Sequence, residues 1–284
     1  MSIKLDLHIH TESRGKIFIN TKQLINALKQ NRIDGVAITN FFDISHALWL
    51  KDRIKNYIII VGQEIWTKDG HLIGLGLNER VNDFQTAEET IGQIHQQNGI
   101  AVAVHPFFHL GIGKKVLRLP IDAVETYNAA MGMSFIHNYL AERIAKKMDI
   151  ARLASSDTTN PKFIGHSFTE VMTKDHNLVL DAIRSANVRL FKRTLPVPVI
   201  FILKNLLKIK NIEPCSTHAV PCLICGKAMT VRLFKEKFKC VDCGKAEFSR
   251  IGCCNGHYFC LSCVLERGVA ASKNLNTIDY NRTG

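Results

Sequence analysis

Apolar positions recur through the first two-thirds of the chain in two alternating rhythms. Short runs rich in Ile, Val, Leu and Ala predict strands at Ile3–Ile9, Gly35–Thr39, Tyr57–Val61, Leu72–Leu77, Ile100–Val104, Ala123–Tyr127, Arg152–Ser155 and Phe168–Met172. Between them, apolar residues spaced by three and four predict helices at Thr21–Asn31, Ile44–Ile54, Thr86–Gln97, Phe135–Lys147 and Asp175–Ala186. Asp34-Gly35 and Asn98-Gly99 supply stop signals where helices should end. Repeated strand–helix alternation predicts an α/β fold with a mostly parallel sheet or barrel.

Composition adds a domain count. At 284 residues, with 46% apolar and 22% charged, the chain suits one enzyme-sized domain plus a small module. The expected divisions are 1–194, a basic and apolar linker or packing helix at 195–214, and 215–284. The longest apolar run, Val197–Leu203, is too short to span a bilayer. No signal peptide is read at the N-terminus, where Met1-Ser2-Ile3-Lys4 runs straight into a strand pattern, so a cytoplasmic location is expected.

The polar residues fall at telling places on this map. His8 and His10 are two apart, so on a strand both imidazoles project from one face, a geometry suited to zinc, iron or manganese. Glu64, His105, Asn128 and Asp157 also lie at or just past the C-terminal ends of predicted strands. In a β/α barrel, that face is where catalytic groups gather.

Together these segments resemble the PHP family, named for its polymerase and histidinol-phosphatase members. The matching stretches are DLHIHT (6–11), DGVAIT (34–39), GQEIWTKDGHLIGLGL (62–77), AVAVHPF (101–107), DAVETYNA (122–129) and ASSDTTNP (154–161), followed by IGHSFTEV (164–171). The resemblance implies a distorted β/α barrel holding divalent metals, usually in a phosphoesterase. It implies that His8, His10, Glu64 and Asp157 ligate one ion, and that Glu64 bridges to a second held by His105 or His71. Asn128 stands where some relatives place another histidine. Only some branches use the histidine matching His71, so a plain strand-edge residue is the alternative there.

The departures cluster. Where relatives carry an Asp shortly after the H-x-H motif, this chain reads Glu12-Ser13-Arg14-Gly15-Lys16; where they have Asp-His, it has Asn40-Phe41; their late Asp-x-His becomes Asp157-Thr158-Thr159. The three missing groups are those that hold the family's third metal, so a centre of one or two ions (Mn, Fe or Zn) is expected. Two ions sharing a carboxylate would lower the pKa of a water toward neutrality and neutralise phosphate oxygens. Arg14 is a candidate catalytic cation, with an exposed loop residue as its alternative; His109, His166 and Asp43 are weaker proton-transfer candidates.

All nine cysteines lie at or beyond position 215. Paired spacing without an oxidising context reads as metal binding. Cys222, Cys225, Cys240 and Cys243 form two C-x-x-C knuckles of one structural zinc site; Cys254 (or Cys253), His257, Cys260 and Cys263 form a second. This is the sequential pairing, and spacing equally permits a cross-braced one. The formal net charge is +12, which seven thiolates around two zinc ions reduce to about +9. Residues 195–250 hold ten Lys or Arg against four Asp or Glu. Lys235, Lys237 and Lys239 would suit phosphate contacts with nucleic acid, or simply face water in a structural or protein-binding zinc domain.

The leading expectation is a phosphoesterase acting on a phosphorylated small molecule or nucleic acid. The alternative is a regulatory protein that binds nucleic acid or protein, with a degenerate, non-catalytic barrel and a zinc-finger recruitment module.

Overall fold

The structure is a computed structural model, and it describes residues 2–13, 16–108, 110–130, 135–194, 229–253, 255–258 and 263. These fall into two compact units, the first covering the described residues up to 194 and the second those from 229 onward.

The first unit is a nearly closed, nine-stranded mixed barrel with flanking helices. In chain order its elements are β1 (Ile3–Ile9), β2 (Glu12–Ser13), β3 (Lys16–Ile17), α1 (Thr21–Asn31), β4 (Gly35–Ile38), α2 (Ser45–Arg53), β5 (Ile58–Trp66) and β6 (His71–Leu75). Then come α3 (Ala87–Gln96), β7 (Ile100–Ala103), β8 (Ala123–Asn128), α4 (Phe135–Met148), β9 (Ala151–Ser155), β10 (Phe168–Val171), α5 (Val179–Arg184) and β11 (Val188–Phe191). The sheet order is β11-β10-β1-β4-β5-β6-β7-β8-β9, with β2 and β3 forming a separate ribbon.

Each predicted strand and helix is present within a few residues, but the sheet is not mostly parallel. The pairs β1/β4, β4/β5, β7/β8 and β8/β9 are parallel; β5/β6, β6/β7, β1/β10 and β10/β11 are antiparallel. The reason is local. The Thr67–Gly70 turn reverses the chain directly after β5, with Thr67 Oγ1 donating to the Gly70 carbonyl at 2.6 Å, so no helix intervenes before β6. The same reversal makes β5 longer than the predicted strand and carries Glu64 inside it, paired with Ile73.

Helices α1 and α3 begin on capping boxes, Asn20 with Gln23 and Thr86 with Glu89, each side chain taking the other's backbone N–H. Each such cap contributes about 1 kcal/mol. Their buried faces, Leu24, Ala27 and Leu28 in α1 and Ala87, Ile91 and Ile94 in α3, pack with Ile38, Val61, Ile65 and Leu72 in one core. A second core gathers Leu5, Leu7, Ile73, Val102 and Leu153 with Val179 and Ile183 of α5. The barrel interior is filled: the cavity among Leu7, Ile73, Val102, Val104 and Leu153 measures only about 10 Å³, room for about one water.

Closure happens beside the polar end. Beyond β9 the chain runs along the end of β1, with Asp157 N donating to the His8 carbonyl and His10 N to the Thr158 carbonyl, both at 2.9 Å. The β1/β4 register slips between Asp6 and Ile9 at the same place, as bulges do where a barrel re-aims side chains.

In the second unit, β12 (Met229–Lys239) and β13 (Ala246–Cys253) form an antiparallel hairpin, with a register shift between Val231 and Glu236. Arg14, His109, Cys222, Cys225, Cys254 and Cys260 lie outside the described residues.

Candidate metal centre

Barrel closure brings His8, His10, Glu64, His71, His105 and Asp157 to one end of the sheet, all buried. Glu64 lies at the middle of them. Its Oε2 is 3.1 Å from both His8 Nε2 and His10 Nε2; its Oε1 is 2.8 Å from His71 Nδ1 and 3.3 Å from His105 Nε2. Asp157 Oδ1 stands 3.4 Å from His8 Nε2 and 3.7 Å from His10 Nε2. Two donor sets result, His8–His10–Glu64 and Glu64–His71–His105, each with its ligand atoms within 4.8 Å of one another.

The donor chemistry fits divalent ions. Imidazole nitrogens and carboxylate oxygens at these separations are the borderline donor set that zinc, iron and manganese take. Burying two carboxylates is costly unless cations face them. Burial disfavours charge on His8, but Asp157, Glu125 and Glu64 outweigh this and hold its pKa well above the ordinary histidine value. Burial likewise pushes Glu64 up, while charged His8 and hydrogen bonds with His10, His105 and His71 bring it well below the usual carboxylate range.

His71, the first residue of β6, lies inside the cluster. Its neighbour across the sheet is Trp66, its partner in the β5/β6 hairpin. Asn128 Nδ2 donates to Asp157 Oδ2 at 2.7 Å and to Glu125 Oε2 at 2.9 Å, since an amide presents N–H to a carboxylate. It tethers Asp157 from behind.

Glu125, in β8 within the DAVETYNA stretch, is the site residue that sequence reasoning missed. It is buried, sits 2.9 Å from His8 Nδ1, accepts from His105 N at 2.9 Å, and also accepts from Ser155 Oγ. The available signal was a charged residue in a strand that has no other. Asp6, from the DLHIHT stretch, braces the backbone behind the centre. It accepts from Ser156 N at 2.9 Å and Gly165 N at 2.7 Å, and burial raises its pKa to about 6. His105 and Asp157 hold φ of 28° and 51°, a left-handed backbone that costs a non-glycine residue energy and is typical of functional sites.

Residues at or beside the sequence departures make local contacts. Asn40 Oδ1 accepts from Thr11 N at 2.8 Å and Glu12 N at 3.1 Å, fixing the turn after His10. The Phe41 ring stacks on His10 with centroids 4.7 Å apart and meets Trp66 edge-on. Thr158 Oγ1 closes a turn with Asn160 N at 2.9 Å. His166 pairs with the Thr194 carbonyl at 2.8 Å, and Asp43 accepts from Ser45 N at 3.1 Å.

In the second unit, Cys240, Cys243 and Cys263 converge. Cys263 thus lies with the Cys240–Cys243 knuckle rather than apart from it, unlike the sequential pairing.

This barrel has the fold of PHP-like metal-dependent phosphoesterases. A two-domain Bacteroides vulgatus protein containing a predicted PHP-like metal-dependent phosphoesterase matches it with a TM-score of 0.55 at 13% identity, over 90% of this chain and 88% of that one. PsfC from Pseudomonas syringae matches with a TM-score of 0.54 at 15% identity, over 72% of this chain and 97% of that one. The PHP-associated family model matches residues 135–188. Uncharacterized protein MJ1587 of Methanocaldococcus jannaschii is 31% identical over 160 residues, covering 51% of this chain and 94% of that protein. The chain thus belongs to one family with MJ1587, and its barrel has the PHP-like fold.

Proposed function

We propose that this protein is a metal-dependent phosphoesterase that hydrolyses a phosphate ester at a two-metal centre shared through Glu64. The observation that carries the reading is the division of labour within one carboxylate: Oε2 faces His8 and His10, and Oε1 faces His71 and His105.

In this reading His8, His10, Glu64 and Asp157 hold one ion, and Glu64, His71 and His105 hold the other. The ions are manganese, iron or zinc, and when bound they supply Lewis acidity and a water of lowered pKa. The chain does the positioning. Glu125 accepts the Nδ1 proton of His8, which fixes the tautomer and turns the Nε2 lone pair toward Glu64 and Asp157. Asn128 holds Asp157 by its far oxygen and leaves Oδ1 to the ion. Phe41 and Trp66 wall off His10 and His71, with Trp66 and His71 ring centroids 4.9 Å apart, and limit water there. Arg14 remains the proposed cation for substrate oxygens, and the cytoplasm the proposed location. Among the described residues, no helix is long and apolar enough to cross a membrane.

The test is turnover of a phosphomonoester and phosphodiester panel by the purified chain with added manganese, iron or zinc, beside Glu64→Gln. Metal-dependent hydrolysis lost in the variant supports the proposal. Absence of turnover with every ester and metal overturns it.

The second reading, a nucleic-acid- or protein-binding regulator with a silent barrel and a zinc module, is favoured by exposed Lys237 and Lys239 alternating with buried Phe238 on β12. Salt-sensitive binding to DNA or RNA without any turnover would select it.

A further inference from the structure

The second unit holds a cluster that the barrel chemistry does not use. Cys240, Cys243 and Cys263 bring their sulfurs within 4.8 Å of one another, and Cys240 and Cys263 are buried with Phe238 and Tyr258. Ligands of a tetrahedral zinc bound at about 2.3 Å lie about 3.8 Å apart, so three sulfurs in this space match three corners of one coordination shell.

The local backbone is built for it. Gly244 N donates to the Cys240 carbonyl at 3.0 Å and Cys240 N to the Lys245 carbonyl at 2.8 Å, closing a tight turn around the C-x-x-C pair. Gly244 takes φ of 72°, which only glycine adopts at no cost. Tyr258 returns the chain toward that turn: its carbonyl accepts from Val241 N at 2.9 Å, its hydroxyl donates to Glu247 at 2.9 Å, and its ring stacks on Phe238. A core this small does not hold a fold unaided, and a structural metal is the usual supplement.

We propose that Cys240, Cys243 and Cys263 ligate one zinc ion, so that Cys263 shares a metal with the Cys240–Cys243 turn and the module is cross-braced. A separate turn follows β13: Asn255 N donates to Cys253 Sγ at 3.4 Å and Gly256 N to the Cys253 carbonyl at 2.9 Å, with Gly256 at φ of 79°.

Because every cysteine lies at or beyond 215 and the barrel donors are His, Glu and Asp, a thiol-specific mercurial releases only cysteine-bound zinc. Released zinc is measured for the full chain, for Cys240→Ser, Cys263→Ser and Cys222→Ser, and for the doubles. Cys240→Ser and Cys263→Ser should each release one zinc fewer than wild type, and their double no fewer still, whereas Cys222→Ser with Cys240→Ser should release none. Loss of two ions from the Cys240/Cys263 double, with Cys222 and Cys240 sharing one, overturns the proposal. Variants that lose everything by unfolding are circumvented in the unmutated protein. Exchanged with NMR-active cadmium, it should show β-protons of Cys240, Cys243 and Cys263 coupled to one cadmium resonance; Cys263 coupled to the cadmium of Cys253, or no thiolate-bound metal at all, overturns it.

Discussion

His8 Nδ1 and Glu125 Oε1 lie 2.9 Å apart behind the metal centre, a buried imidazole backed by a buried carboxylate. A histidine ligand is usually oriented and made more basic by such a partner, whose loss costs about 10- to 100-fold in metal affinity. Glu125→Ala should weaken metal binding by about that factor in calorimetric titration. Glu125→Gln should lose less, since the amide oxygen still accepts from Nδ1, although its NH₂ then confronts the donors His105 N and Asn128 Nδ2. Wild-type affinity in both variants would remove Glu125 from the centre.

Glu64 faces both histidine pairs, so its substitution should act on both at once. Glu64→Gln keeps the shape but removes the charge. Bound metal, counted by elemental analysis after gel filtration, is expected to fall below half of the wild-type value, while Asp157→Asn should affect mainly the His8–His10 set. Full metal content in Glu64→Gln would show that the carboxylate is not shared.

Phe41 covers His10 without offering a ligand atom. Phe41→Ala should therefore lower unfolding stability by about 1–2 kcal/mol through lost stacking and burial, and leave the metal count unchanged. A changed metal count in this variant, at intact fold, would assign the ring a role in the centre itself.

His46 is buried, and burial lowers its pKa from 6.5 to about 4, with Asp43 opposing the shift only in part. The unfolded chain thus binds a proton that the native state refuses between those values. The His46 contribution is intact above pH 6.5 and is lost as pH falls toward 4, at most about 3 kcal/mol. Denaturant unfolding of the metal-free protein across that window should show a shallower decline for His46→Gln than for wild type. Parallel curves would refute the assignment.

Much of the centre was readable in the chain. The structure brings the H-x-H pair, Glu64, His105 and Asp157 together, and Asn40, Phe41 and Thr158 make local contacts beside them. What escaped notice depended on neighbours. The bonds of Asn128 to Asp157 and Glu125 join residues of two strands. Glu125 carried no motif of its own. His71 was ambiguous until the β5/β6 hairpin set it against the same carboxylate as His105.

Local geometry explains the division. A two-residue step along a pleated strand fixes that His8 and His10 share a face, and a C-x-x-C-Gly turn fixes that Cys240 and Cys243 can share a metal; both facts live within a few residues of chain. Which carboxylate meets those imidazoles depends on sheet order and on closure between β1 and the segment after β9, where residues about 150 positions apart exchange hydrogen bonds. Such partnerships come from the packing of the whole barrel, because no short-range preference of the backbone selects among distant strands.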